Sequence, residues 1–454
     1  MGILTKITLG LVVIVGGVAI AVPTIYKTKI NDVIVENQSK LEREGMLVSL
    51  NTDNDDFFHV KREYRVTIKD SSYILNKTAM VTNSPEFNDV KTNLDETQFL
   101  INVNLPKYPG KQNSAVIISL DEFSPNVKQN LKKEKIGQGI IDFVKERGLM
   151  VSFDFEEYKL KQAKLKDINL LLEQENSKLV QKTQNFVVKF DSLSNYKINL
   201  DNLELKVNDK DNQFSFNLGS YKHEVSKKDE LNADELVNIS NLLIAISSNK
   251  VASQNMTFGL KDIHSKSNIF TKEDKVLALS NMNIKKINFK NNMDTLEIGN
   301  FDTTLSLKDL NKELISDIYA AVQNGGVADQ AVLNEYIQEL LSNGFNFNLE
   351  KFQIDYAKIN LENNKFDTGK ITLQSNVTLE ENTIDMKTRP ILDFLSVVTS
   401  SLNIQMSKAD ITLIMSKFRL PAVFMQFVRI ENDKANIDAE FKNKELYVNN
   451  KRVL

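Results

Sequence analysis

The sequence predicts an α+β protein, built mainly of long, coiled antiparallel strands covered by a few amphipathic helices, with one N-terminal transmembrane helix. An uncharged apolar run opens the chain, period-two alternation dominates beyond Gly45, and helical periodicity is confined to short stretches. The 454 residues have room for about three average domains at ~150 residues each. Apolar residues at 41% and charged residues at 26% exclude wholesale disorder. The 57 Lys and Arg against 60 Asp and Glu leave a net charge of −3, without the broad basic field of a nucleic-acid binder. With no cysteine, disulfides, thiolate catalysis, thiolate zinc sites, iron–sulfur clusters and a lipidated N-terminal Cys are all excluded.

Residues 7–25 read ITLGLVVIVGGVAIAVPTI without a charge. At ~1.5 Å per residue the run spans about 28 Å, close to the ~30 Å hydrocarbon core of a bilayer. Lys6 stands on one side, and Tyr26, Lys27 and Lys29 on the other, as an interfacial aromatic and cations do where a helix leaves the membrane. The expected layout is a cytoplasmic tip at 1–6, an anchor at 7–26 and a helical stalk at 27–45 ending at Gly45. The alternative is a signal peptide cleaved after Ala21, in the triplet Ala19-Ile20-Ala21. Either exports the body. The stalk's Ile30, Val33, Ile34 and Leu41 form a partial apolar stripe suited to a spacer, with barely two heptads for a coiled coil.

The body is expected as two β-rich halves, 46–226 and 227–454. Val151, Phe153 and Phe155 alternate, as do Leu203, Leu205 and Val207, Phe214, Phe216 and Leu218, and Ile437, Ala439 and Phe441. Several runs alternate, slip once by three, then alternate again: Leu165→Ile168, Leu200→Leu203, Leu279→Met282, Ile284→Ile287, Leu349→Phe352 and Tyr356→Ile359. A slip keeps the apolar face inward only where the strand bulges or turns a corner.

Helices are expected at 125–147, opened by Ser124-Pro125, and at 228–247, with Leu231, Leu236, Ile239, Leu242, Leu243 and Ile246 on one face. A helical hairpin is expected at 308–343, its arms 308–323 and 328–343 separated by Gly325-Gly326, and a shorter helix after Pro390, through Val398. These stripes read as lids on the sheet.

Four features together resemble the YdgA-like family of bacterial inner-membrane proteins, a domain of unknown function. They are the N-terminal membrane segment with its polar stalk; Val60-Lys61-Arg62-Glu63-Tyr64; a helix ending in Leu340-Leu341-Ser342-Asn343-Gly344 followed by Asp367-Thr368-Gly369-Lys370-Ile371-Thr372-Leu373; and the tail Lys444-Glu445-Leu446-Tyr447-Val448-Asn449-Asn450-Lys451. Asn450 stands where the family pattern has glycine, and its early Arg-Gly pair is missing. The resemblance implies an anchor in the bacterial inner membrane with the body in the periplasm, and carries no catalytic residue over.

Motifs that suggest chemistry fail on context. Asp367-Thr368-Gly369 matches the aspartic-protease triplet but follows Asn363-Asn364-Lys365 rather than an apolar strand. Ser247-Ser248-Asn249-Lys250 has S-x-x-K spacing without the partner motifs of a penicillin-binding enzyme. Gly137-Gln138-Gly139 lies in a helical pattern and lacks the third glycine of a dinucleotide loop. His59, His223 and His264 are far apart and read as surface histidines; Asp53, Asp55 and Asp56 lack the glycine and glutamate of a calcium loop. No catalytic, metal or cofactor site is expected.

The expected function is that of a membrane-tethered periplasmic envelope protein, non-catalytic, acting as a binding or interaction module for other envelope proteins. The alternative is a carrier of lipid or another apolar ligand in a concave β-groove lined by Phe345, Phe347, Leu349, Phe352, Ile354 and Tyr356. A hydrolase ranks third, because no nucleophile, base and orienting residue assemble.

Overall fold

The computed structural model describes residues 41–57, 59–72, 85–106, 113–157, 159–248, 255–292, 294–323, 330–361, 364–384, 395–417 and 422–453. The expected tip, the anchor at 7–26 and the stalk as far as residue 40 lie outside the described residues. Among the described residues no helix is long and apolar enough to cross a membrane. The chain divides into two compact units, Met1–Phe216 and Asn217–Leu454. Antiparallel sheet dominates both, with a few short helices.

The first unit is a meander. Strands β1 (Met46–Asp55), β2 (His59–Ile68), β3 (Gln98–Pro106), β4 (Asn113–Glu122) and β5 (Met150–Glu156) pair in succession. Helix α1 (Pro85–Leu94) connects β2 to β3, and α2 (Pro125–Leu131) and α3 (Gly137–Lys145) connect β4 to β5. The expected helix at 125–147 is thus two. Ser124 caps α2 by accepting from the Val127 amide at 3.2 Å. Gly137 starts α3 against the Leu131 carbonyl, where a Cβ would lie 1.7 Å from that oxygen. α3 packs on β4 and on the strand from Ile168, where Gly139 gives room for Leu172. Phe153 and Phe155, each 1% exposed, close the core with Leu131 and Val144.

Three long strands then turn a corner together. They are β6 (Lys159–Leu165) with β7 (Ile168–Gln174), β8 (Ser177–Gln184) with β9 (Val187–Ser192), and β10 (Asn195–Leu200) with β11 (Asn202–Asn208). On one side of the corner β6 pairs β9 and β9 pairs β10; on the other, β7 pairs β8 and β8 pairs β11. The expected slips Leu165→Ile168 and Leu200→Leu203 fall at this corner. Asp167 Oδ1 accepts from the Asn185 amide at 2.8 Å, and Asn185 Nδ2 donates to Asp201 Oδ2 at 3.2 Å. Asn185 takes φ 52°, a left-handed conformation that Asn tolerates better than most residues.

Strand β12 (Asn212–Leu218) spans the division between the units. The second unit has its own meander, β13 (Tyr221–Asp229), β14 (Asn232–Ser248), β15 (Met256–Lys272), β16 (Lys275–Asn291) and β17 (Asp294–Asn311), each paired with the next. The hairpin α4 (Lys312–Gln323) and α5 (Gln330–Asn343) follows, then β18 (Phe345–Ile354), β19 (Tyr356–Leu361), β20 (Asn364–Thr368), β21 (Ile371–Leu379) and β22 (Val398–Ser407). Helix α6 (Lys408–Lys417), β23 (Arg429–Glu431), β24 (Lys434–Lys442), β25 (Glu445–Val448) and β26 (Lys451–Arg452) complete it. β17 pairs β18 and β19 in turn; beyond them the order is β18, β21, β22, β24, β25.

Here three helix expectations are corrected. Residues 232–248 are strand β14, not a helix. Val237 and Ile239 alternate, the strand slips at Ser240, and Leu242, Ile244 and Ile246 alternate again, so two dyads joined by a slip imitate helical spacing. Residues 308–311 finish β17 before α4 begins. Val398 opens β22 rather than closing a helix, and 391–394 lie outside the described residues.

The slip at Ser240 belongs to a crease across the sheet. Pairing skips Ser240 with Asp262, Asp262 with Lys285, and Lys285 with Asn300 on successive strands, and Asp355 separates β18 from β19 at the same level. Asp262 and Asn300 take φ 50° and 51°. The Asp355 amide donates to the Gly299 carbonyl at 3.0 Å, and Asn300 Nδ2 donates to Asp355 Oδ2 at 2.7 Å. Hydrogen bonds from Asn300 and then Gln353 hold the Asp355 carboxyl below its ordinary range. The slip Ile284→Ile287 lies on this crease, and Leu349→Phe352 lies on a bulge at Glu350. Leu279→Met282 and Tyr356→Ile359 run through regular pairing, so their members sit on opposite faces.

If the crease demands a left-handed residue, Asn300→Val is expected to be less stable than Asn300→Gly by about 1–2 kcal/mol, since a branched Cβ is strained there. Urea midpoints of the two variants measure the difference, and equal midpoints would contradict the requirement.

Candidate functional site

Alternation gives the strands of the second unit two chemically different faces. On one face, cross-strand rows run through Met282, Thr303, Phe352, Leu373, Ile404 and Ile437. The next row runs Ser280, Leu305, Leu349, Ser375, Leu402 and Ala439, and the third runs Ala278, Leu307, Phe347, Val377, Ser400 and Phe441. Its middle row holds the smaller side chains, flanked by rows bearing Phe352 and Phe347.

Burial along this face is uneven. At one end α4 and α5 pack on β17 and enclose Leu231, Val276 and Leu310, and Leu314 of α4 is itself 1% exposed. At the other end α6 packs through its own Ile411 on Met406 and Ala435. Between them Leu305, Leu349, Phe352, Leu373 and Leu402 are only half-buried, and Phe347 is 38% exposed. The first unit, by contrast, buries its strand residues under α2 and α3.

The six expected groove residues therefore divide. Phe345 packs at the covered end against the Leu231 cluster. Phe347, Leu349 and Phe352 stay on one face because the Glu350 bulge absorbs the odd spacing. Phe352 meets Phe301 edge-on at 5.5 Å between ring centroids. Ile354 is buried at the crease. Tyr356 shares its row with Gly299 and Lys286, and its hydroxyl donates to Glu297 Oε1 at 2.9 Å. Lys286, 2.8 Å from Glu297, and then the Tyr356 hydroxyl hold the Glu297 carboxyl low. Tyr356 thus belongs to a charged row rather than an apolar one.

The opposite face is a ladder of amides and hydroxyls. Asn376 donates to Asn348, Asn346 Nδ2 donates to Thr378 Oγ1 at 3.1 Å, and Gln405 Nε2 donates to Asn436 Oδ1 at 2.8 Å. A cleft of about 400 Å³ opens there beside Asn376, Asn403, Asp438 and Tyr447. Asn403 donates to Asp438 and Tyr447 to Glu445, so polar groups on its walls already serve one another.

Other expectations can be placed. Asp367 and Thr368 end β20 at the corner before β21, and the Gly369 amide donates to Asp410 Oδ1 at 3.0 Å. Ser248 ends β14, and Asn249-Lys250 lie outside the described residues. Asp53 pairs with Arg62 at 2.7 Å and Asp56 with Lys61 at 2.9 Å. Among the described residues no group of three or more His, Cys, Asp or Glu is placed to hold a metal ion. Asn449 and Asn450 take φ 46° and 65°, as a two-residue I′-type hairpin requires, so Asn450 fills a glycine role.

One polar cluster escaped the sequence. His223 Nε2 lies 2.8 Å from Glu235 Oε1, and Ser267 Oγ lies 3.2 Å from Ser280 Oγ, all on the apolar face at its β13–β16 end. Reading 228–247 as a helix hid it; the alternation of β13 was the available signal. The chain matches no protein-family profile, no curated protein and no solved structure.

The uneven burial is testable. Leu314→Ala is expected to cost roughly 2–5 kcal/mol, as for a fully buried Leu, and Leu305→Ala clearly less. Thermal melting of the two variants separates them; equal losses would mean that the middle row is closed.

Proposed function

We propose that the chain is a non-catalytic, membrane-tethered envelope protein whose body is a binding module for an apolar ligand of the lipid class. The half-buried middle of the apolar face carries this reading: Leu305, Leu349 and Leu402 present apolar surface between two covered ends. Transferring a methylene group from water to such a surface contributes about 0.8 kcal/mol. A patch of this kind on a water-exposed sheet marks a place where something docks. The tether is the uncharged run 7–26, and the resemblance to the YdgA-like family supports its seat in the inner membrane with the body in the periplasm. A protein partner is the second reading, favoured by Leu47 and Leu50 of β1, which are 46% and 54% exposed.

Alkaline phosphatase fused after Gly45 is expected to be active, and activity of a cytoplasm-only reporter there would overturn the topology. N-terminal sequencing that began at Val22 would show cleavage instead of a tether.

Phe347→Asp tests the binding face. The substitution is expected to leave the fold intact by circular dichroism and to abolish lipid co-purification in native mass spectrometry of the detergent-extracted chain. An unfolded variant would mean that Phe347 is part of a closed core, because a buried unpaired carboxylate is not tolerated.

A further inference from the structure

Resting on the apolar-ligand reading above, we infer that the face takes a glycerophospholipid with an ammonium-bearing zwitterionic headgroup, seated at His223, Glu235, Ser267 and Ser280 with its acyl chains across the strands. The face is chemically graded along its rows. In the middle row Glu235, Ser267 and Ser280 give way to Leu305, Leu349 and then Leu402. That order, charged, then hydroxylated, then aliphatic, is the order of groups along a phospholipid.

The dimensions agree. From Ser280 to Ala439 the row crosses five strand-to-strand steps, β16 to β17, β18, β21, β22 and β24. At ~4.8 Å per step this is about 24 Å. One leaflet of a ~30 Å hydrocarbon core gives an acyl chain about 15 Å, so a chain fits with room to spare.

Charge complementarity selects the head. The Glu235 side chain is 52% exposed while its partner His223 is 14% exposed, so the carboxylate is the outward member of the pair. An anion presented at the rim attracts an ammonium group and repels a purely anionic head. The serine hydroxyls one and two strands inward share one hydrogen bond at 3.2 Å, which leaves one O–H to donate to the phosphate. Lys227, two positions beyond Val225 on the same face of β13, adds a cation beside Tyr319, whose hydroxyl it reaches at 2.8 Å.

The test uses the full chain in detergent and an equimolar mixture of phosphatidylethanolamine, phosphatidylglycerol and diacylglycerol with identical acyl chains. Bound lipid is counted by native mass spectrometry. Wild type is expected to favour phosphatidylethanolamine over phosphatidylglycerol by about tenfold, the factor that one charge-assisted contact supplies. Glu235→Gln is expected to bring that ratio near one while total lipid is retained. Glu224→Gln, on the opposite face of β13, is expected to leave it unchanged. An unchanged ratio in Glu235→Gln, or a wild-type preference for phosphatidylglycerol, overturns the headgroup assignment and leaves the apolar-face reading standing. Folded wild type that binds none of the three lipids, diacylglycerol included, overturns the apolar-face reading itself.

Discussion

The strands that cross the corner and the crease meet one constraint: they must change direction without rotating their apolar side chains to the other face. Because side chains alternate with period two, a corner made with the wrong number of residues would expose the whole downstream set. Asp and Asn solve this at both corners. Asp167, Asn185 and Asp201 hydrogen-bond in sequence across three strands of the first unit. In the second unit Asn300 reaches Asp355, and Asn241 Nδ2 donates to Asn217 Oδ1 at 2.6 Å. A short polar side chain both accepts the left-handed backbone and pins the neighbouring strand, so adjacent strands turn at the same level. The cross-strand rows on which everything else depends stay aligned for that reason.

What lies over those rows differs between the units. In the first, two helices inserted between β4 and β5 close over Phe153 and Phe155, and the apolar face becomes an interior. In the second, helices pack along the strands past the outer rows, α4 with α5 beyond Ala278 and Leu307 and α6 beyond Ile404 and Ile437. The same strand chemistry therefore yields a sealed core in one unit and a half-open face in the other.

Much of this was legible in the residues. The alternation of Val151, Phe153 and Phe155 marks β5, and the slip Leu349→Phe352 marks the Glu350 bulge. The helical hairpin was visible from its stripe, with Leu314 deep in the core as its place in that stripe implies. Strand β14 was not, because a mid-strand slip gives apolar residues the i, i+3 spacing of a helix. The telling signal was an Asp or Asn set in an otherwise apolar strand, as in Lys261-Asp262-Ile263 and Gly299-Asn300-Phe301. The alternation of β13 could set His223 on a face, but bringing Glu235 beside it needed the β13–β14 register.

The two faces of the second unit's strands differ in how far their own side chains satisfy one another. On the amide face Asn346, Asn348, Asn376 and Thr378 serve one another as donors and acceptors, and Ser306 and Lys308 both donate to Glu350. Such a face meets water at little cost, since its side chains are hydrogen-bonded and its exposed surface is polar. The apolar face has no such remedy. Leu305, Leu349 and Leu402 gain nothing from one another that exposure to water does not partly cancel, and the proportionality of hydrophobic stabilisation to buried area leaves part of theirs unrealised. A ligand laid along the middle row would recover that part without disturbing a single ladder hydrogen bond. The sheet's stability would then rise with occupancy, because anything that binds the folded state alone stabilises it in proportion to the logarithm of its concentration.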